Sequence, residues 1–131
     1  MKKWFLSSGL LGFSGVTLGA FGAHALKGIL IAQNSVPTWQ TAVFYHVSYA
    51  IAMLSVGLHT KNCPTTHRKW LARACACWLL GILFFSGSLY WLALGGPKWL
   101  GPVTPAGGIL LLVGWSSVLM DAMEPAEPTT R

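Results

Sequence analysis

Four long apolar runs, none of which contains a charged residue, dominate this chain. They cover residues 4–23, 40–58, 74–96 and 103–120, and each is between 18 and 23 residues long. Because about 20 helical residues cross the ~30 Å hydrocarbon core of a bilayer, each run is long enough to span a membrane once. Backbone in lipid must satisfy its own hydrogen bonds, which favours helices. The sequence therefore predicts an all-α membrane protein, a four-transmembrane-helix bundle.

The composition excludes an ordinary soluble domain. Hydrophobic residues make up 53% of the 131 residues and charged residues only 9%, against about 25% charged in soluble domains. The formal net charge is +6, but the basic residues lie at the ends of the apolar runs and form no continuous patch. We therefore expect membrane lipids, and not nucleic acid, as partners. The expected organisation is one membrane domain, 1–120, followed by a polar cytoplasmic tail, 121–131.

The basic residues also predict the orientation of the chain. Two of them, Lys27 and Lys98, lie on one side of the membrane, and seven lie on the side that holds both termini: Lys2, Lys3, Lys61, Arg68, Lys69, Arg73 and Arg131. The bias of Lys and Arg towards the cytoplasm therefore predicts that both termini are cytoplasmic.

The sequence Ala23-His24-Ala25 also has the form of a signal-peptide cleavage site, but a glycine-containing run of about 20 residues is long for such a segment.

Glycines occupy one face of the first predicted helix. They fall within about 140° of arc at ~100° per residue, and they are Gly9, Gly12, Gly15, Gly19 and Gly22. Small residues let another helix approach closely. That helix could belong to the same bundle or to a second copy of the chain, and we keep both alternatives.

The distribution of acidic residues argues against catalysis in the membrane. All three, Asp121, Glu124 and Glu127, lie in the last eleven positions. The apolar runs therefore offer no carboxylate for a proton relay or for ion coordination. No nucleophile with a recognisable base and no phosphate-binding glycine loop is visible. We expect a protein that is not an enzyme.

Polar side chains instead suggest a layer in the outer third of the bundle. His46 lies ~10 Å below the outer end of the second run at 1.5 Å per residue, and the other members are Thr17, Tyr45, Tyr49, Ser86 and Tyr90. One interpretation is a set of hydrogen bonds between helices, each contributing roughly 0.6 to 2 kcal/mol. The alternative is a pocket for a lipid, quinone or metabolite.

The decapeptide GAFGAHALKG, residues 19–28, closes the first run. Exposed carbonyls at a helix end favour hydrogen-bond donors. We therefore expect His24, with Lys27, to contact the outer loop that carries Thr104 and Pro105.

His24 and His46 differ by ~10 Å in depth, so a haem with two histidine ligands is not expected. No cofactor or metal is predicted, since His59, Cys63 and His67 lack an evident fourth ligand for zinc.

A short internal sequence repeat suggests a duplication. GLLGFSG at 9–15 matches GILFFSG at 81–87 in five of seven positions. Both segments open a helix that runs outwards, which is compatible with two parallel-repeat hairpins.

Several blocks of the chain resemble the YgdD-like family of small bacterial inner-membrane proteins, which has a eukaryotic branch and no assigned biochemical activity. These blocks are GAFGAHAL at 19–26, TAVFYH at 41–46, LFFSGSLYWLAL at 83–94, VTPAGG at 103–108 and GW at 114–115. The resemblance implies a four-span fold in the bacterial inner membrane and no particular activity. Members of that family often carry histidine at the position of Tyr49, whereas this chain has its histidine at His46.

Two functional hypotheses follow from the sequence. The first is a non-catalytic structural or accessory subunit that packs against itself or a larger membrane complex, as the glycine face indicates. The second is a protein that binds or transports a small ligand in the outer polar layer.

Overall fold

The computed structural model describes residues 2–60 and 65–124, and of residues 65–68 the backbone alone. The helices are α1 (Lys2–Ala23), α2 (Lys27–Ala32), α3 (Val36–His59), α4 (Thr65–Ala93) and α5 (Val103–Met123), with a 3₁₀ turn at Lys98–Leu100 before α5. Four segments are long and apolar enough to cross a membrane: α1, α3, the Lys69–Ala93 part of α4, and Lys98–Met123. The prediction of an all-helical protein with four membrane spans is confirmed.

Helices α3 and α4 begin well before their apolar runs. Helix α3 begins at Val36 and not at Gln40, because Pro37 lies in its first turn, where a missing N–H costs nothing. Helix α4 begins at Thr65 and so precedes the run at 74–96. Lys and Arg are good helix formers, and the Arg73 guanidinium lies 5.6 Å from the ring centroid of Trp70. The basic residues therefore extend the helix beyond the apolar run.

Two helix ends also differ from the expected ones. Helix α4 ends at Ala93 and not at Gly96, because Gly95 adopts a left-handed conformation with φ +85°, which commonly terminates a helix. Helix α5 continues to Met123, so the expected tail at 121–131 begins inside a helix. Residues 125–131 of that tail lie outside the described residues.

Helix α2 is an element that the apolar runs do not predict. It packs through Leu30, which is buried against Trp39 of α3 and Ala93 of α4. Asn34 follows it with φ 50°, and the Ser35 hydroxyl donates to the Ala93 carbonyl at 2.6 Å. We call this end of the molecule, which carries α2 and residues 94–102, the distal end. The proximal end is the one where α1 begins and α5 ends.

The four long helices form two hairpins that lie side by side. The most extensive contact is between α4 and α5, followed by α1 with α3, and the hairpins meet where α3 packs on α4. The internal sequence repeat predicts two hairpins, although the duplication itself stays a prediction.

The contact between α4 and α5 uses two glycines of α5. A Cβ added at Gly107 would overlap the backbone of Phe85, and one added at Gly114 would overlap the indole of Trp78. The Trp78 side chain is only 1% exposed, and its ring centroid lies 5.0 Å from that of Trp115. The absence of side chains at these two glycines therefore lets α4 and α5 approach closely.

Most of each long helix faces away from the protein core. The buried share of the membrane spans is only 17% in α1 and reaches 33% in α4. Large apolar side chains cover the outward faces, with Phe13 76% exposed and Leu112 67% exposed. Such a surface requires hydrocarbon as its solvent.

Candidate functional site

A cluster of Ser14, His46 and Tyr90 joins three helices in the interior, and we call it the His46 cluster. The imidazole is 6% exposed. Its Nε2 lies 3.2 Å from the Ser14 Oγ of α1, and its Nδ1 lies 3.2 Å from the Tyr90 hydroxyl of α4. Both ring nitrogens of this α3 histidine therefore have partners, one on each neighbouring helix.

Helix geometry explains how these residues meet. Side chains on a helix lean towards its N-terminus, so His46 and Tyr90 lean towards each other on antiparallel helices. Gly15 lies beside the imidazole: a Cβ there would be in ordinary contact with the ring carbons of His46, at 3.5 Å, and too close to Val47 Cγ2, at 2.9 Å. The glycine face and the histidine thus belong to one contact.

One arrangement of protons satisfies the whole His46 cluster. The Ser14 hydroxyl lies 2.9 Å from the Leu10 carbonyl, to which it donates, so it can accept from Nε2–H of His46. The other ring nitrogen, Nδ1, then accepts from the Tyr90 hydroxyl. This arrangement uses a neutral imidazole and engages every donor, so the cluster connects helices and leaves no ring nitrogen for a ligand.

The other members of the expected polar layer form separate contacts. The Ser86 hydroxyl, fully buried, donates to the Ala42 carbonyl at 2.9 Å. The Tyr49 hydroxyl accepts from Trp115 Nε1 at 3.0 Å. Tyr45 packs on Phe85 with 4.6 Å between ring centroids. The side chains lie at similar depths without forming one continuous network.

Thr17 does not join the His46 cluster. The α1 residue that contacts His46 is Ser14, where the sequence predicts Thr17. The Thr17 hydroxyl donates to the Phe13 carbonyl of its own helix at 2.8 Å. Counting depth alone favoured Thr17, but Ser14 lies about 60° further round α1, closer to α3. The internal sequence repeat could have identified Ser14, because Ser14 and Ser86 are its equivalent serines and both contact α3.

Of the residues expected at the outer mouth, Thr104 has a hydroxyl partner on α4. The Thr104 hydroxyl lies 2.6 Å from the Ser88 hydroxyl and so joins α5 to α4. His24 is an exposed residue in the turn after α1, and Lys27 begins α2. The hydroxyl partner of Thr104 thus lies within its own hairpin, and the expected contact of His24 with Thr104 stays a prediction.

The glycine face of α1 packs against α3 along only part of its length. A Cβ at Gly15 would lie 2.9 Å from Val47 Cγ2, and one at Gly19 would lie 3.3 Å from Val43 Cγ1. A Cβ at Gly22 would overlap the Trp39 indole. By contrast, a Cβ at Gly9 or Gly12 would meet nothing within 4 Å among the residues that the structure describes. The distal three glycines therefore contact α3, and the proximal two do not.

Two apolar grooves lie along the α1·α3 hairpin. The distal groove has a volume of about 540 Å³ and lies among α1, α2 and α3, with Lys27 and Gln40 in its lining. The proximal groove has a volume of about 370 Å³ and includes Gly9, Gly12 and Ala50 in its lining. His46 and Tyr90 line neither groove.

A Tyr90→Phe substitution tests whether the His46 cluster stabilises the fold. Phenylalanine at this position would leave Nδ1 of His46 without its donor, and we expect a loss of about 1 kcal/mol in stability. Thermal unfolding in mild detergent measures it. The matched control is Tyr45→Phe, because the Tyr45 contacts in the structure are ring contacts that phenylalanine retains. Equal melting temperatures for the two variants would contradict a structural role for the cluster.

The fold and the internal hydrogen bonds define a helical multi-pass membrane protein. The family model described as "Protein of unknown function (DUF423)" matches residues 18–108, so the chain belongs to that family. It is 38% identical over 117 residues to UPF0382 membrane protein SERP0230 of Staphylococcus epidermidis, covering 88% of this chain and 90% of the relative.

Relatives also occur well beyond the staphylococci. The chain is 39% identical over 118 residues to a UPF0382 membrane protein of Haemophilus influenzae, covering 89% of this chain and 90% of the relative. It is 32% identical over 126 residues to UPF0382 membrane protein C1782.12c of Schizosaccharomyces pombe, covering 92% of this chain and 100% of the relative. No solved structure matches the chain. The family thus has bacterial and eukaryotic members whose function is not assigned.

Proposed function

We propose that this protein is a non-catalytic accessory protein that packs against a transmembrane helix of another chain, either a second copy or a subunit of a larger complex. The observation that carries the proposal is the open space at Gly9 and Gly12. These glycines continue the face that packs on α3, yet no neighbouring helix in the described part of the chain comes within 4 Å of a Cβ built at either.

The proximal groove has the features of a helix-docking surface. Its floor is made of small residues, Gly9, Gly12 and Ala50, and larger apolar side chains such as Ile51 and Leu54 form its walls. Association of helices in lipid depends on close van der Waals packing, which small residues permit. A helix from another chain could therefore approach α1 here as closely as α3 does at Gly15.

The His46 cluster supports a structural role over ligand binding in the polar layer. A ligand would need polar atoms directed into an open space, whereas His46 directs both ring nitrogens to Ser14 and Tyr90. Ser86 likewise donates to a backbone carbonyl within the protein. These polar atoms are already engaged in contacts between the helices.

The location of the protein forms part of the same proposal. In the sequence, seven basic residues fall on the side that holds both termini and two on the other side, and this bias supports cytoplasmic termini and a bacterial inner (plasma) membrane. The narrower resemblance to YgdD-like proteins agrees with that placement and stays a prediction.

A Gly12→Leu substitution tests the docking surface. The leucine side chain would fill the proximal groove from a position whose Cβ meets no other described helix, so we expect the monomer to fold and the larger assembly to be lost. Size-exclusion chromatography with light scattering, on protein extracted in mild detergent, measures the assembly.

The matched control is Gly87→Leu on α4, where a Cβ also meets nothing within 4 Å in the described part of the chain. We expect this variant to retain the size of the unsubstituted protein. The proposal is contradicted if the unsubstituted protein is monomeric without partners, or if both leucine variants keep the same assembly.

A further inference from the structure

The distal groove is distinct from the docking surface and has a different chemistry. It extends along α3 from Val36 to Phe44, which is about 12 Å at 1.5 Å per residue. That depth corresponds to most of one leaflet, since half of the ~30 Å hydrocarbon core is about 15 Å. Its volume of about 540 Å³ lies within the usual range of small-molecule sites.

The shape of the distal groove is built into the fold. Its α1 wall consists of Gly19, Gly22 and Ala23, so little side-chain volume fills the space. Trp39 forms part of the lining and is only 3% exposed. The indole is fixed by donation from Nε1 to the Leu18 carbonyl at 3.0 Å. The groove therefore exists without rearrangement of its lining.

One end of this apolar groove is cationic. Lys27 is exposed and contributes to the lining, as does the amide-bearing Gln40. All three acidic side chains of the chain lie at positions 121, 124 and 127, and α5 places Asp121 at the proximal end. Among the residues that the structure describes, no acidic side chain thus lies at the distal end to neutralise the Lys27 ammonium.

An apolar groove of one-leaflet depth with a cation at the headgroup level is complementary to one class of molecule. A phospholipid presents an acyl chain to the apolar part and a phosphate to the ammonium, and an exposed ion pair of this kind contributes up to about 1 kcal/mol. A quinone or a transmembrane helix would fill the apolar part without pairing with Lys27.

We propose that the distal groove binds one anionic phospholipid from the leaflet at the distal end. An acyl chain lies along Gly19 and Gly22, the phosphate pairs with Lys27, and the Gln40 amide is positioned to donate to the headgroup. This lipid site uses residues that the docking proposal does not need, and either proposal can fail without the other.

Native mass spectrometry of the detergent-purified full chain, titrated with phosphatidylglycerol, tests the site. We expect one phosphatidylglycerol to bind the unsubstituted protein, and Lys27→Gln to weaken its binding about fivefold, which is the equivalent of about 1 kcal/mol. The matched control is Lys98→Gln, which removes the other distal lysine and should leave binding unchanged. Equal melting temperatures of the three proteins establish that the substitutions leave the fold intact.

Three results would overturn the lipid site. Equal phosphatidylglycerol binding by Lys27→Gln and the unsubstituted protein removes the role of the ammonium. Equal weakening by Lys98→Gln reduces the effect to general surface charge. Displacement of the lipid by inorganic phosphate alone, or by a co-purifying quinone or membrane protein, assigns the groove to a different occupant.

Discussion

Gly107→Ala is expected to prevent stable association of α4 with α5. The added Cβ would overlap backbone atoms of Phe85, and backbone cannot move aside as a side-chain tip can. Overpacking typically costs 1 to 3 kcal/mol and occasionally more, so we expect about 3 kcal/mol or more here. The fraction of protein that stays monodisperse in detergent on heating measures the loss.

Gly108→Ala is the control for this substitution. A Cβ at Gly108 would lie 3.8 Å from Phe85 Cδ2, which is an ordinary contact. Alanine also has the higher helix propensity, by about 1 kcal/mol, so Gly108→Ala should be neutral or stabilising. Similar stability of the two neighbouring alanine variants would contradict the close approach of α4 and α5.

Gly22→Ala should produce the second large effect, at the distal end of the α1·α3 hairpin. The added methyl group would overlap the Trp39 indole, which is buried and donates to the Leu18 carbonyl. We expect a loss of about 2 to 3 kcal/mol, because the indole must move and its hydrogen bond lengthens. Thermal unfolding in detergent is the measurement.

Gly12→Ala on the same helix provides the matched comparison. A Cβ at position 12 meets nothing within 4 Å among the described residues, so in the monomeric protein the gain in helix propensity should raise the melting temperature slightly. The two alanine substitutions are thus expected to act with opposite signs. A lower melting temperature for Gly12→Ala than for Gly22→Ala would mean that α1 and α3 pack through a different face.

The sequence predicts the four spans because hydrocarbon imposes a strict length and excludes charge. Helix ends are harder to predict, since they depend on individual turns. Pro37 and Gly95 shift two of them by a few residues. Helix α2 lies within a stretch too short to be a span, and its position depends on burial of Leu30 against α3 and α4.

The contacts between helices are only partly predictable from one sequence. The glycines of α1 are closely spaced and form an obvious face, but equally close contacts lie at Gly107 and Gly114 on α5. These residues are seven positions apart, and their effect depends on Phe85 and Trp78 of another helix. A periodicity within one helix does not reveal such a pair.

The His46 cluster shows the same limit. The sequence identifies His46 and Tyr90 because polar side chains are rare in the apolar runs. Depth along α1 favours Thr17 over Ser14 by about 4.5 Å, whereas the rotation of α1 against α3 brings Ser14 to His46. That rotation is determined by the packing of Gly15 against Val47 and His46.

Photo-cross-linking in native membranes tests the docking proposal most directly. A photoreactive amino acid at position 12 lies in the proximal groove, and one at position 87 lies at an open glycine of the other hairpin. We predict a discrete protein adduct from position 12, with a second copy of this chain or with another membrane protein, and none from position 87. Adducts with lipid alone from position 12, or the same protein adduct from both positions, would contradict the proposal.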